Sequence, residues 1–202
     1  MKRKGLERLL FGISSAWIFA WARAVAWRRY DKKYLMGRWF TSPYGNLGAE
    51  GWRWVIQNSR ACRRLGVNLD VPWPVSPHIQ IVNPRNIAFD PNDMNNFQGF
   101  GKYYQAQARI TIGSGSYIAP NVGIITANHD PGNLNQHLPP KPVALGRNCW
   151  VGMNSVILPG VTLGDGTVVG AGSVVTRSFP QGYCIIAGNP AKMIRDLKKE
   201  GI

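Results

Sequence analysis

The chain has 202 residues and a net charge of +14, from 24 Lys+Arg against 10 Asp+Glu, although only 17% of its residues are charged. With 45% hydrophobic residues it can bury a real core, which excludes a disordered polycation and fits one domain plus appendages. Cys62, Cys149 and Cys184 are odd in number and far apart, which argues against a disulfide framework and for a reducing compartment.

The basicity sits in the first third. Residues 1–66 hold 14 Lys+Arg and 3 Asp+Glu, whereas residues 67–202 hold 10 and 7. Met1–Arg8 is basic, and Leu9–Ala22 then runs 14 residues without a charge. Arg23 interrupts the run, Ala24–Trp27 resumes it, and Arg28, Arg29, Lys32 and Lys33 close it. A bilayer span needs about 20 apolar residues, so this run is short. Ala24-Val25-Ala26 resembles a signal cleavage site. The flanking charge and the tryptophans suit an interfacial helix on an anionic membrane surface better. Residues 1–33 are therefore expected to be a basic, membrane-associated helix. A signal or spanning segment, or packing on a partner subunit, are the other readings.

Residues 34–70 read as a helical linker region. Within it, 49–65 predicts a helix with Trp52, Val55, Ile56, Ser59, Cys62 and Leu65 on one face and Gly66 as its C-terminal cap. The stretch VPWPVSP from Val71 is too proline-rich to be helical and leads into the next domain.

Counting by six from Leu145 gives Leu145, Val151, Ile157, Leu163, Val169 and Val175. The following residues are Gly146, Gly152, Leu158, Gly164, Gly170 and Thr176. Three further on stand Cys149, Ser155, Val161, Thr167, Ser173 and Phe179, most of them small. Neither a helix period of 3.6 nor a strand period of 2 produces this, and a parallel β-helix does. The pattern extends upstream through Ile112, Ile118 and Ile124. It weakens over residues 79–111, where Ile79, Ile81, Ile87, Phe89, Phe100 and Ala106 are the inward candidates. Ile124 and Leu145 are 21 positions apart, which is not a multiple of six. The period breaks, and residues 127–142 are expected to be extruded as a loop, carrying Asn128, His129, Asp130, Asn133 and His137.

The strings ITIGSGSYIAPNV, ANHD, LGRNCWVGMNSVILPGVTLGDGTVVGAGSVVT and AGNPAKMIRDL resemble the hexapeptide-repeat acyltransferases. The nearest group contains the galactoside, maltose and polysaccharide O-acetyltransferases. The resemblance implies a mainly β fold: a left-handed parallel β-helix over 71–192, an N-terminal helical extension and a C-terminal tail over 193–202. It also implies a homotrimer with active sites between subunits, acetyl-CoA as co-substrate, and no metal.

Residue by residue, the resemblance places His129 as the catalytic histidine, and neutral imidazole suits a general base near pH 7. Asn128 is a second catalytic candidate, toward substrate or oxyanion, or else a turn residue. Trp150 matches a tryptophan near the pantetheine. Gly152, Met153, Gly170 and Ala171 match positions that offer backbone groups and room for the cofactor. Thr176, Arg177, Lys192 and Arg195 match groups at the coenzyme A phosphates. His137 reads as an exposed polar residue before a substrate contact, His78 as structural, and Cys149 as a small hydrophobe.

The acceptor side departs from the sugar-specific relatives, with Gly99 and Gln107 where the galactoside enzyme has an asparagine and an aspartate. The segment holding Asn95, Asn96, Gln98, Tyr103, Tyr104, Gln105 and Gln107 suits a carbohydrate, and equally a coil exterior. The expected function is an acetyl-CoA-dependent O-acetyltransferase acting on a sugar hydroxyl in cell-surface polysaccharide or glycolipid biosynthesis. It would be cytoplasmic, on the inner face of the membrane. An N-acyltransferase on an amino sugar or amine antibiotic is the alternative in the same fold. A metalloenzyme of the carbonic-anhydrase type would need three suitably placed histidine ligands. A non-catalytic membrane-bound or nucleic-acid-binding module is the alternative of another class, but an apolar, Trp-rich run is a poor nucleic-acid arm.

Overall fold

The computed structural model describes residues 17, 19–41 and 49–198. Most of the apolar run expected at the membrane, residues 1–16 and 18, lies outside the described residues. The chain divides into two compact units, Met1–Pro77 and His78–Ile202.

The first unit is built on two helices. The first, α1, is described over residues 19–29. The second, α2, spans Glu50–Leu65 and stops at Gly66, whose left-handed φ of 69° lets its N–H reach the Cys62 carbonyl. Ala22, Ala26 and Tyr30 of the first segment are buried with Phe40, Trp52 and Val55. The Phe40 and Trp52 rings meet edge to face at 5.2 Å, and Trp52 Nε1 donates to the Phe40 carbonyl at 3.3 Å. The described residues of the N-terminal helix and of the linker region thus share one core. The expected face of α2 is buried at Trp52, Val55, Ser59 and Cys62, but Leu65 is 56% exposed. The helix ends at Leu65, one turn beyond Cys62, where its core gives out.

The second unit is the expected left-handed parallel β-helix. Leu145 pairs with Leu163, Val151 with Val169, and Ile157 with Val175, each eighteen residues on. Three hexads therefore make one coil, and each face stacks the same phase of the repeat. The aliphatic position points inward throughout, with Val151, Ile157 and Val175 fully buried.

The other two positions of the hexad have physical reasons. Coils pass so close at Gly152 that a Cβ would lie 2.6 Å from the Ala171 nitrogen. The turn carbonyls this leaves inside are satisfied by the small residue. Thr167 Oγ1 donates to the Gly164 carbonyl at 2.7 Å, and Ser155 and Ser173 both donate to that of Gly170. Cys149 belongs to the same set: its Sγ donates to the Gly164 carbonyl at 3.3 Å, and burial pushes its thiol up, away from the thiolate.

The weaker upstream coils depart from the pattern in one place. Ile79, Ile81, Ile87 and Ala106 are buried as expected, but Phe100 is 52% exposed. A 3-10 segment, Pro91–Phe97, carries Met94 and Phe97 inward instead. Gly99 and Gly101, both with positive φ, then turn the chain so that Phe100 faces out. In place of a strand rung, Asn96 bridges to the coil above: its Oδ1 accepts from Ile118 N at 2.9 Å and its Nδ2 donates to the Ser116 carbonyl at 2.8 Å. At the far end, Cys184–Gly188 and Ala191–Asp196 pair antiparallel, so strand structure runs past residue 192.

Candidate active site

The extruded loop is a β-hairpin. The residues that pair on either side of it, Ile112 with Leu145, are 33 apart, fifteen more than one coil. Its strands are His129–Asp130 and Asn133–His137, antiparallel, joined through Pro131-Gly132. Asp130 Oδ1 accepts from Gly132 N at 2.8 Å, a turn that the Asp-Pro-Gly sequence favours.

The hairpin is clasped at its root. Gln105 Oε1 accepts from both Thr126 N (3.1 Å) and Ala127 N (2.9 Å). Lys141 N donates to the Thr126 carbonyl at 2.8 Å and Leu138 N to that of Asn128 at 2.9 Å. Gln105 and Asn96, read from sequence as acceptor-side candidates, are therefore structural. So is Tyr104, fully buried, whose hydroxyl donates to the Asn96 carbonyl at 3.1 Å.

His129 is exposed, and its Nδ1 lies 2.8 Å from the Leu134 carbonyl. A carbonyl only accepts, so Nδ1 carries the proton and the neutral ring keeps Nε2 as its lone-pair nitrogen. Asn128 beside it is exposed, with its backbone carbonyl used in the clasp. His137 stands directly opposite His129 in the hairpin, their ring centroids 4.1 Å apart and the planes tilted by 36°. His137 is exposed, in line with its reading as an exposed polar residue, and the hairpin adds its pairing with His129. The sequence trace of that pairing is the Asp-Pro-Gly turn between the two histidines.

Three of the proposed cofactor positions, Trp150, Lys192 and Arg195, lie in strands of one sheet. Tyr117, Trp150, Val168, Ile185 and Arg195 are successive cross-strand partners and form one row. Trp150 is exposed in it. It stands three strand spacings from Arg195, about 14 Å. Lys192 pairs with Ala187, and Arg195 with Ile185. Residues three apart in a regular strand point to opposite faces. Here the register shift between Ile185 and Ile186 absorbs Ile194, so Lys192 and Arg195 share a face.

Gly152 and Gly170 use their N–H groups between coils. Gly152 N donates to the Val169 carbonyl and Gly170 N to that of Ile186, each at 2.8 Å, because both sit where coils touch. Met153 and Ala171 are exposed at the corners that follow. Thr176 and Arg177 are exposed beyond Val175, with the Arg177 guanidinium 5.3 Å from the Phe179 ring centroid. Among the described residues, no ring contact or hydrogen bond joins His129 to Trp150 within one chain.

Among the described residues there is no group of three His, Cys, Asp or Glu side chains that could hold a metal ion. The basic side chains of Lys192 and Arg195 are anion-binding groups on the sheet that carries the exposed Trp150 indole, a combination that fits a phosphorylated cofactor with an apolar arm.

Comparison with known proteins agrees with this geometry. Residues 142–177 match the family model for the bacterial transferase hexapeptide, six repeats. Over 91 residues the chain is 40% identical to the galactoside O-acetyltransferase of Escherichia coli, covering 44% of this chain and 44% of that one. It spans less than half the length of that relative. Among solved structures it is similar to a galactoside acetyltransferase in complex with coenzyme A, at 31% identity and a TM-score of 0.54, covering 63% of each chain. It is also similar to a maltose O-acetyltransferase from Clostridium difficile 630, at 32% identity and a TM-score of 0.50, covering 59% of this chain and 63% of that one. By repeat, coil geometry and sequence, the β-helical part of this chain is similar to the hexapeptide-repeat acyltransferases, and residues 142–177 carry the hexapeptide repeat of bacterial transferases.

Proposed function

We propose that the protein is an acetyl-CoA-dependent O-acetyltransferase that esterifies a sugar hydroxyl, with His129 as general base. The observation that carries this reading is the Nδ1 contact with the Leu134 carbonyl, which leaves Nε2 bare and the ring held. Nε2 takes the acceptor's hydroxyl proton as the new C–O bond forms, and gives it to the departing sulfur as the C–S bond breaks. A positioned base of this kind contributes about 10²–10⁴ in rate. The thioester supplies an already activated acyl group. The chain's own residues need only bind, orient and move the proton.

Asn128, exposed next to the base, is placed to hold the acceptor or the oxyanion. The row from Trp150 to Arg195 suits the pantetheine arm along the indole and the phosphates at Lys192 and Arg195, with Thr176 and Arg177 adding to the phosphate side. Leu134 is 70% exposed on the hairpin, and Leu138 follows it half exposed. An apolar tip on a rigid scaffold suits contact with a second copy, which supports a homotrimer whose sites form between subunits.

A carbohydrate acceptor in polysaccharide or glycolipid biosynthesis, and a cytoplasmic protein peripheral on the inner membrane face, complete the reading. Among the described residues no helix is long and apolar enough to cross a membrane. Trp17, Trp21 and Trp27 stand exposed along the N-terminal segment, as in an interfacial anchor. The test is thiol release from acetyl-CoA across a panel of sugar acceptors. Wild type is expected to turn over with at least one, and His129→Ala to lose 10²–10⁴ of that rate while still binding coenzyme A. Retention of turnover by His129→Ala would refute the assignment.

A further inference from the structure

The first unit holds a groove of about 640 Å³ lined by Trp21, Ala24, Val25, Arg28, Arg29, Arg63 and Leu69. A second hollow beside it shares Trp21, Val25 and Arg63 and adds Ile56, Ser59, Arg60 and Arg64. The lining follows helical stripes. Trp21, Val25, Arg28 and Arg29 recur at helical spacing in α1, as do Ile56, Ser59, Arg60, Arg63 and Arg64 in α2. Five guanidinium groups therefore line the two hollows.

These arginines have almost nothing to neutralise them. The carboxylates described in this unit are Asp31, Glu50 and Asp70, and Asp31 is paired with Lys33 at 3.5 Å. Among the described residues, Arg28, Arg60, Arg63 and Arg64 have no ion pair. Arg29 is the structural member: its terminal nitrogens donate to the carbonyls of Ser59 (2.8 Å) and Asn68 (3.4 Å). Its Nε is buried without an acceptor. Arg60 lies 5.6 Å from the centroid of the Trp21 ring, which holds it at the groove. Holding five like charges together is unfavourable unless an anion joins them.

We propose that this groove binds the phosphomonoester or diphosphate headgroup of an anionic membrane lipid. Guanidinium forks match phosphate oxygens in pairs, and a doubly charged terminal phosphate can use several at once. The apolar part of the lining, Val25, Leu69 and the indole of Trp21, suits the glycerol or isoprenoid carbons next to such a phosphate. The exposed Trp17, Trp21 and Trp27 point to a lipid rather than to free phosphate, because indoles favour the membrane interface. The inference rests on the membrane attachment proposed above and gives it a specific headgroup. It does not depend on acetyl transfer.

The test is vesicle flotation of the full chain. Phosphatidylcholine vesicles carry either phosphatidic acid or phosphatidylglycerol, with the two matched in total surface charge. Binding to phosphatidic acid is expected to be at least fivefold tighter, and to be competed by inorganic diphosphate. The triple variant Arg60→Ala, Arg63→Ala, Arg64→Ala should lose that preference. The charge-matched control Arg53→Ala, Arg85→Ala, Arg109→Ala should keep it. The corresponding triple lysine variant keeps the charge and should bind both vesicles, without preference. Equal binding of the two lipids by wild type, or equal effects of the groove and control variants, would overturn the headgroup site and leave general membrane attachment standing. Failure to bind any anionic vesicle would overturn both. Binding of a single-stranded RNA probe in place of vesicles, lost in the groove variant, would overturn the lipid assignment in favour of nucleic acid.

Discussion

His129 and His137 face each other across the extruded hairpin with ring centroids 4.1 Å apart, while the same hairpin brings the Leu134 carbonyl to His129 Nδ1. One contact fixes the tautomer and the other restrains rotation of the ring. His137→Ala is therefore expected to lower kcat about tenfold with little change in KM for acetyl-CoA, since an unrestrained base samples fewer productive orientations. His137→Phe keeps a flat ring in the same place and should recover most of that loss. Steady-state kinetics of both variants decide it, and an alanine variant as fast as wild type removes the positioning role.

A second expectation concerns the register shift in the last strand. It puts Lys192 and Arg195 on one face, Arg195 in the row that contains Trp150. Replacing both with alanine should raise KM for acetyl-CoA by about tenfold or more, because charge-assisted hydrogen bonds to phosphate are worth about 1.5–3 kcal/mol each. The effect should be smaller with dephospho-CoA if the pair reads the 3′-phosphate. Equal losses with both cofactors would move the pair to the diphosphate.

The sequence legible at six-residue spacing was the part in which one coil repeats the next. There each residue has a neighbour of its own kind above and below, so the packing constraint is written eighteen residues apart. Phe100 was misplaced because the coil beneath uses a 3-10 segment and the Asn96 side chain in place of a strand. That substitution leaves no periodic trace. The loop was visible as a break in period, but the pairing of His137 with His129 was not, since pairing across a turn is a register fact rather than a composition fact. Gly152 and Gly170 were read as room for a cofactor. Their absent side chains make room for the neighbouring coil, a role that spacing alone cannot separate from binding. The first helix was read for its apolar run and not for Ala22 and Ala26, whose burial ties it to α2.

The coil contacts give a stability test with an internal control. At Gly152 a Cβ would stand 2.6 Å from the Ala171 nitrogen and 2.7 Å from the Val169 carbonyl oxygen, both backbone atoms that cannot swing away. At Gly172 a Cβ would meet nothing within 4 Å, and the only penalty comes from its φ of 69°. Gly172→Ala is expected to cost about 1 kcal/mol, the usual penalty for that backbone region. Gly152→Ala should cost about 3 kcal/mol or more, as forced overpacking does. Thermal unfolding monitored by circular dichroism compares the two, and equal losses would mean that the coils can part at little cost.

Lys102 offers a pH test. Its residue is 5% exposed and its Nζ donates to the Gln98 carbonyl at 2.9 Å. Burial lowers its pKa from 10.5 to about 8. The charged form is thus the one the fold disfavours. Below about pH 8 both folded and unfolded chains carry the proton, and the full penalty applies. Between about 8 and 10.5 the unfolded chain binds more protons than the folded one, so stability rises with pH across that window. Discounted for the water that still reaches the ammonium, the gain is about 1–2 kcal/mol. Lys102→Met fills the same space without the charge. It should stabilise the protein by a similar amount at pH 7 and remove the rise between pH 8 and 10. Denaturant midpoints measured at pH 7, 8, 9 and 10 give both readings. A variant whose midpoints run parallel to wild type would show that Lys102 keeps its proton in comfort, hydrated or paired in solution.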